Sequence, residues 1–227
     1  MINRSKLSDL PTIAILGGTG KEGPGLALRW ANAGYKILIG SRQAEKAQAT
    51  ADELNHKLGI DSIEGLVNRE AAVRADISVM TVVQSAHQDM IESMQGVLQG
   101  KILVDATARV DFRDPEPPAG PSAARLAQTK LGPGVRVVAA FQNVPAHVLK
   151  KNLGQSLDTD VLVCSDDPDA AEPVMELARA AGMRAYFAGN LDNALVVEGI
   201  TSLLISLNQH YGVRTASIAV TGVPTEN

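Results

Sequence analysis

The sequence predicts an α/β fold built on a doubly wound, mostly parallel sheet with a small helical part toward its C-terminal end. Three observations predict it. Apolar strand-like runs alternate with amphipathic helical stretches through most of the 227 residues. Runs such as "TIAIL" (12–16) and "ISVMTVV" (77–83) show no polar alternation, the pattern of strands covered by helices on both faces. The first strand passes through three glycines in six residues, Gly18, Gly20 and Gly23, and leads at once into a helical pattern.

The elements follow in order. A strand at Thr12–Leu16 precedes a helix at Glu22–Ala33, and a strand at Lys36–Gly40 precedes a helix at Ala44–Leu58. The same alternation gives a strand at Ser62–Leu66, a helix at Arg69–Ala75, a strand at Ile77–Val83, a helix at Ala86–Leu98 and a strand at Ile102–Asp105. Strands separated by helices are joined by right-handed crossovers. The stretch "DFRDPEPPAGPS" (111–122) holds too many prolines for a helix or a central strand and reads as a surface loop. Beyond it come a helix at Ser122–Thr129, strands at Val135–Ala140 and Asp160–Cys164, a helix at Asp169–Ala181, a strand at Arg184–Phe187 and a long helix near Asp192–His210. The organisation expected is a nucleotide-binding domain over residues 1–149 and a smaller α/β part over 150–227.

Composition excludes several classes of function. Apolar residues make up 45% of the chain, enough for a sizeable core. Aromatics are 3% and the net charge is −4, so neither base stacking nor a basic field points to nucleic acid. No stretch reads as a membrane span, and "MINRSKLSDLP" lacks the apolar run of a signal peptide. A cytoplasmic protein is therefore expected. Cys164 is the single cysteine, which excludes an intramolecular disulfide. His56, His87, His147 and His210 are scattered without metal-ligand spacing and read as solvated or locally bonded; no metal is expected.

The glycine turn carries the chemistry. Gly18 allows a tight turn out of the strand, Gly20 lets the backbone approach a pyrophosphate, and Gly23 lets the helix pack close to the strand. The positive end of the helix beginning at Glu22 then faces phosphate. This is the fingerprint of a Rossmann-type dinucleotide site. Which dinucleotide binds is decided after the second strand, where an NAD site places Asp or Glu on the ribose 2′-hydroxyl. Here "KILIGSRQAEKA" offers Gly40, Ser41 and Arg42 instead, with Lys46 one turn further on. A hydroxyl, a guanidinium and an ammonium suit a 2′-phosphate, so NADP(H) is expected.

The stretch "NLDNALVVEGITSLLISLNQHYGVRTASIAVTG" is apolar on more than one face. Leu195, Ile200, Leu203, Leu204 and Leu207 spread over a broad surface that Val196 and Val197 widen. Such a helix packs against its own core or against a second subunit, and a homodimer is expected.

"LGGTGKEGPGLALRWANAGYKILIGSRQAEKA", with "AFQNVPA", "VCSDDPDA" and "LVVEGITSLLISLN" following in family order, resembles the coenzyme F420-dependent NADP oxidoreductases over nearly the whole chain. The resemblance implies hydride transfer between NADP(H) and the 8-hydroxy-5-deazaflavin coenzyme F420, a small-molecule co-substrate. It implies that Thr19, Gly20, Lys21 and Glu22 hold the pyrophosphate and that Ser41, Arg42 and Lys46 hold the 2′-phosphate. Val82 and Ala146 would border the nicotinamide. Gln142 and Val144, before Pro145, would face the deazaflavin. The chain departs from the family's archaeal members on that side, with Gln142 where they carry His and Val83-Gln84 where they carry Pro-Trp. Hydride transfer between stacked rings asks for positioning in a dry pocket rather than for an acid–base group, and no catalytic side chain is expected. "TVV" (81–83) and "NVPA" (143–146) read as small, stiff walls for it, Val83 more as core packing. An NADPH-dependent reductase of an imine or a ferric complex, and a non-catalytic NADP(H) sensor, are the alternative readings.

Overall fold

The computed structural model describes residues 10–223. Residues 1–9 and 224–227 lie outside the described residues, and with them most of the polar N-terminal stretch. The chain runs β1 (Ile13–Leu16), α1 (Gly23–Asn32), β2 (Ile37–Ser41), α2 (Ala44–Leu58), β3 (Ile63–Val67), α3 (Asn68–Arg74), β4 (Ile77–Met80), α4 (Gln84–Ser93) and β5 (Ile102–Asp105). It continues with α5 (Ala123–Leu131), β6 (Arg136–Ala139), α6 (Ala146–Leu149), β7 (Asp160–Ser165), α7 (Pro168–Ala180), β8 (Arg184–Phe187) and α8 (Ala194–Tyr211).

The eight strands form one sheet in the order β3-β2-β1-β4-β5-β6-β7-β8. All pairs are parallel except β6 with β7, which is antiparallel. The order reverses between β1 and β4, and ligands of open α/β sheets bind at such a switch point beyond the carboxyl ends of the strands. Burial follows the pleat. Ile13 and Ile15 join a core with Trp30, Phe141 and Leu177 on one face, while Ala14 and Leu16 join Met80, Met94 and Leu98 on the other. Both faces are covered, which explains why β1 and β4 carry no polar alternation.

Two expectations are corrected. The strand read over 77–83 stops at Met80, because Thr81–Val83 leave the sheet at its carboxyl edge. Val83, read as core packing, is instead 63% exposed. The four-residue helix α6 has no separate signal in a sequence whose helical periods need longer windows.

Arg29 and Trp30 join the first half of the chain to the second. Trp30 is fully buried and its Nε1 donates to the Leu177 carbonyl at 2.8 Å. Arg29, 3% exposed, donates to four carbonyls: Leu149 at 3.0 Å, Lys151 at 2.6 Å, Gln155 at 3.0 Å and Ala181 at 2.9 Å. A buried cation needs such a set of partners. Arg29 fixes the segment behind α6 against α1.

Candidate functional site

The glycine turn sits between β1 and α1. A β-carbon on Gly18 would stand 2.7 Å from the Ile15 carbonyl oxygen, and one on Gly23 would stand 2.6 Å from the Gly18 backbone. Both positions are closed by the protein itself. Gly20 differs: its nearest neighbour would be the Gly17 carbonyl at 3.5 Å, an ordinary contact, and the residue is exposed. The fold does not need a glycine there, whereas a phosphate lying on the backbone does. The neighbouring Gly17 has φ +71° and its N–H donates to Asn68 Oδ1 at 3.0 Å. Gly18 N–H donates to the Gly40 carbonyl at 2.8 Å, which ties the turn to the end of β2. The start of α1 carries no side-chain cap; Pro24 has no N–H and the Gly25 and Leu26 N–H groups donate to the Glu22 carbonyl, so the Gly23 amide and the helix dipole are what remain for an anion.

Glu22 lies at that helix start. Its Oε1 is buried without a partner within the protein, and desolvation by burial raises the carboxyl to about 8. Near neutral pH it is uncharged and adds no repulsion to a pyrophosphate. Thr19 is half-buried and Lys21 is exposed beside it.

Ser41 ends β2 and is buried, its Oγ accepting the Gln43 N–H at 3.2 Å. Arg42 and Lys46 are exposed at the start of α2, and neither enters an ion pair among the described residues. Both cations stand at the carboxyl end of β2, next to the glycine turn. The open depression where α2 meets β3 differs in kind: it is lined by Ala44, Glu45, Gln48, Ala49, Asp52 and Gly65. Its titratable groups are carboxylates, which repel phosphate.

Val82 bridges the turn and the next wall. Its Cγ1 lies 2.6 Å from where a β-carbon on Gly17 would sit. The facing wall follows β6. Ala140 N–H donates to the Asp105 carbonyl at 3.3 Å, and the fully buried Phe141 then takes φ +75°, a left-handed conformation costly for a bulky residue. Phe141 is held there by an edge-on contact with Trp30 at 5.7 Å between centroids. The reversal places Gln142 beneath the loop after β5, its Nε2 donating to the Asp105 carbonyl at 3.0 Å. Gln142 is 6% exposed, not solvated, and its Oε1 is buried without a protein partner. The Gln142 carbonyl accepts from Thr201 Oγ1 of α8 at 2.9 Å. Val144, expected to face the deazaflavin, packs into the core instead, in the turn closed by its N–H on the Phe141 carbonyl at 2.9 Å. In that turn the half-buried Pro145 and Ala146 are left open to a ligand.

Behind this wall lie four ionisable groups. His87 Nε2 and Asp105 Oδ2 are 2.7 Å apart, and both side chains are buried. Arg109 Nε donates to Glu198 Oε2 at 2.8 Å, while Glu198 Oε1 accepts the Ala123 N–H at 2.6 Å. Burial works to lower the His87 imidazolium, the hydrogen bond and charge of Asp105 and the charge of Glu198 work to raise it against Arg109, and the balance lifts it above the ordinary histidine range. Burial raises the Glu198 carboxyl against the pull of Ala123 N–H and Arg109. Around these groups Thr107 Oγ1, Arg109 Nη2, Gln142 Oε1 and Asn143 Oδ1 are buried with no protein partner.

Cys164 is buried and its thiol is pushed up to about 11 by desolvation, so it packs rather than reacts. No group of three or more His, Cys, Asp or Glu that could hold a metal occurs among the described residues. No helix among them is long and apolar enough to cross a membrane.

Sequence reasoning brings Gly18, Thr19, Gly20, Lys21, Glu22, Gly23, Ser41, Arg42, Lys46 and Val82 to one end of the sheet, and the structure places them there. It misses Asn68, Asp105, Arg109 and Glu198. Of these, Asp105 carried a signal, as the one carboxylate in the run "ILVD" at a strand's carboxyl end.

Comparison with known proteins follows this geometry. Residues 12–109 match the family model described as NADP oxidoreductase, coenzyme F420-dependent. The chain is 41% identical over 224 residues to the F420-dependent NADP reductase of Methanothermobacter thermautotrophicus, covering 94% of this chain and 96% of that one. It is 40% identical over 223 residues to the F420-dependent NADP reductase of Methanocaldococcus jannaschii, with 93% and 98% covered. Metalloreductase STEAP3 of Rattus norvegicus is 28% identical over 202 residues, which span 87% of this chain and 38% of that protein. Among solved structures, a provisionally assigned F420-dependent NADP reductase from Arthrobacter sp. FB24 superposes with a TM-score of 0.78 at 23% identity, over 93% of this chain and 100% of that one. An imine reductase from Myxococcus stipitatus superposes with a TM-score of 0.59 at 19% identity, over 89% and 63%. The two superpositions speak for the fold alone.

Proposed function

The chain belongs to the F420-dependent NADP reductase family, and on that premise we propose that it transfers a hydride between NADP(H) and the deazaflavin coenzyme F420. The observation that carries the reading is the contrast within the glycine turn. Gly18 and Gly23 are closed by the protein's own backbone, whereas Gly20 is exposed and a β-carbon there would meet only ordinary contacts, with the Gly17 and Thr81 carbonyls.

In this reading the Gly20 backbone and the uncapped start of α1, with Thr19, Lys21 and the neutral Glu22, receive the pyrophosphate. Ser41, Arg42 and Lys46 receive the 2′-phosphate. Val82 and Ala146 border the nicotinamide, and Gln142 and Pro145 face the deazaflavin. When both are bound, the nicotinamide supplies the hydride and the deazaflavin carbon accepts it. The protein aligns the two rings to about 3–3.5 Å between reacting carbons and excludes water. Gln142 Nε2 donates to the Asp105 carbonyl, and its buried Oε1 is the acceptor left without a protein partner in that turn.

The exposed apolar stripe of α8, with Val196 65%, Leu203 63% and Leu207 40% exposed, supports a homodimer through that helix. Its opposite face, Ala194, Val197 and Leu204, is buried in the same subunit. The reading also assigns residues 1–149 to nucleotide binding, residues 150–227 to acceptor and dimer contacts, and the protein to the cytoplasm.

The test is anaerobic mixing of protein, NADPH and oxidised F420, with the nicotinamide and deazaflavin absorbance bands followed separately. Matched loss of both bands is the expected result. Turnover with an imine or ferric acceptor and none with F420 would replace this reading.

A further inference from the structure

The His87–Asp105 pair is absorbed by neither the nucleotide site nor the dimer face, yet it lies directly behind the acceptor wall. Asp105 is fully buried and joins one helix and two loops. Its Oδ2 meets His87 Nε2 of α4 at 2.7 Å, its Oδ1 accepts Thr107 N–H at 3.0 Å, and its carbonyl accepts Gln142 Nε2 at 3.0 Å. Helix α4 and the loops after β5 and β6 are therefore joined at one residue. A chain that needed only packing here would place apolar groups, since a buried ion pair seldom stabilises more than a hydrophobic replacement.

The charges that reach His87 come from three elements: Asp105 at the end of β5, Arg109 in the loop beyond it and Glu198 on α8. With the imidazole protonated, two cations balance two carboxylates. With it neutral, one negative charge is left over behind the acceptor wall. That difference bears on the chemistry. In the reduction of the acceptor, the C4–H bond of NADPH breaks and its electron pair forms a C–H bond on the acceptor ring. NADPH is oxidised to NADP⁺, and the ring gains one unit of negative charge before a proton from water restores neutrality. A negative charge behind the ring opposes this step, and a neutral cluster does not.

We propose that His87 is a positioning residue acting through Asp105: it fixes the Gln142 turn and, while protonated, keeps the ground behind the acceptor ring electrically neutral, so that hydride delivery to the acceptor is fastest in that state. This rests on the reading of the site as a hydride-transfer site for F420.

The test compares the wild type with His87→Gln, which keeps a hydrogen-bonding group beside Asp105 and removes the charge. Three quantities are followed from pH 5 to 9: the NADPH dissociation constant, deazaflavin binding by its fluorescence, and kcat for deazaflavin reduction. NMR titration of the His87 ring, identified by its loss in His87→Gln, gives the midpoint. The expected result is a His87 midpoint above the ordinary histidine range. Below it, kcat of the variant falls on the order of tenfold. The ratio of wild type to variant returns toward one above it, and NADPH affinity is equal in both. The proton consumed by the overall reaction affects both proteins and cancels in the ratio. Asp105→Asn should lower the His87 midpoint. A ratio that does not change with pH, or a loss of NADPH affinity equal to the loss in kcat, overturns the inference while leaving F420 as the co-substrate. A wild-type protein inert toward F420 overturns both.

Discussion

Gly23 and Gly18 touch so closely that a β-carbon on Gly23 would stand 2.6 Å from both the Gly18 Cα and its carbonyl oxygen. Gly20, between them in sequence, has no such neighbour. The two kinds of glycine should therefore fail differently. Gly23→Ala should destabilise the protein by about 1–3 kcal/mol in a urea titration, through overpacking against backbone that cannot yield. Gly20→Val should keep its circular dichroism and its urea midpoint and lose NADPH binding. A folded Gly20→Val that still binds NADPH tightly would make the whole turn structural.

Arg42 is exposed and makes no ion pair among the described residues, so its removal strands no partner. Arg42→Ala should weaken NADPH binding by about 1.5–3 kcal/mol and leave NADH binding unchanged. Isothermal titration with both nucleotides checks this. Equal losses for the two would place Arg42 away from the 2′-phosphate.

Glu22 links pH to both stability and binding. Its folded value, about 8, lies above the ordinary carboxyl range. A group raised on folding contributes stability that is fully present below its unfolded value and is lost as pH rises through the folded one. The protein should thus lose stability as pH climbs from about 4.5 to about 8, the range between the ordinary and raised values. NADPH should bind more weakly above it, as the ionised carboxylate faces phosphate. Glu22→Gln should flatten both dependences. Unchanged pH profiles in that variant would show that Glu22 is already solvated.

Much of the nucleotide half was legible because its signals are local. The glycine spacing, the run "ILIGSR" and the alternation of apolar strands with helices each depend on neighbours within a few residues. The wall around Asp105 and Gln142 was not legible in the same way. The pair His87 and Asp105 is separated by 18 residues, and Arg109 and Glu198 by 89. Nothing local marks such pairs. Phe141 is a stronger case: no rule of composition puts a large aromatic in the left-handed region, and only its fixing against Trp30 and the core makes that conformation tolerable. Val83 was misread for a related reason, since an apolar run continues past the point where the sheet ends.

Helix α8 offers a prediction about assembly. Leu203 is 63% exposed on the stripe opposite the buried face. Leu203→Asp should leave the subunit folded and shift sedimentation from dimer to monomer at micromolar concentration. A wild-type monomer under those conditions would remove the dimer altogether.

Arg29 carries a consequence for how the chain could be divided. Its guanidinium draws on carbonyls at 149, 151, 155 and 181, all contributed by residues far downstream of α1. A polypeptide cut after Leu149 would retain the cation while losing three of the four oxygens that take the place of its water. The complementary piece would keep those oxygens without the cation. Neither product would be a domain in the sense of an autonomous folder. The two would be obligate complements, and mixing them should restore structure only in equimolar association, with Arg29 as the joint that makes each half incomplete alone.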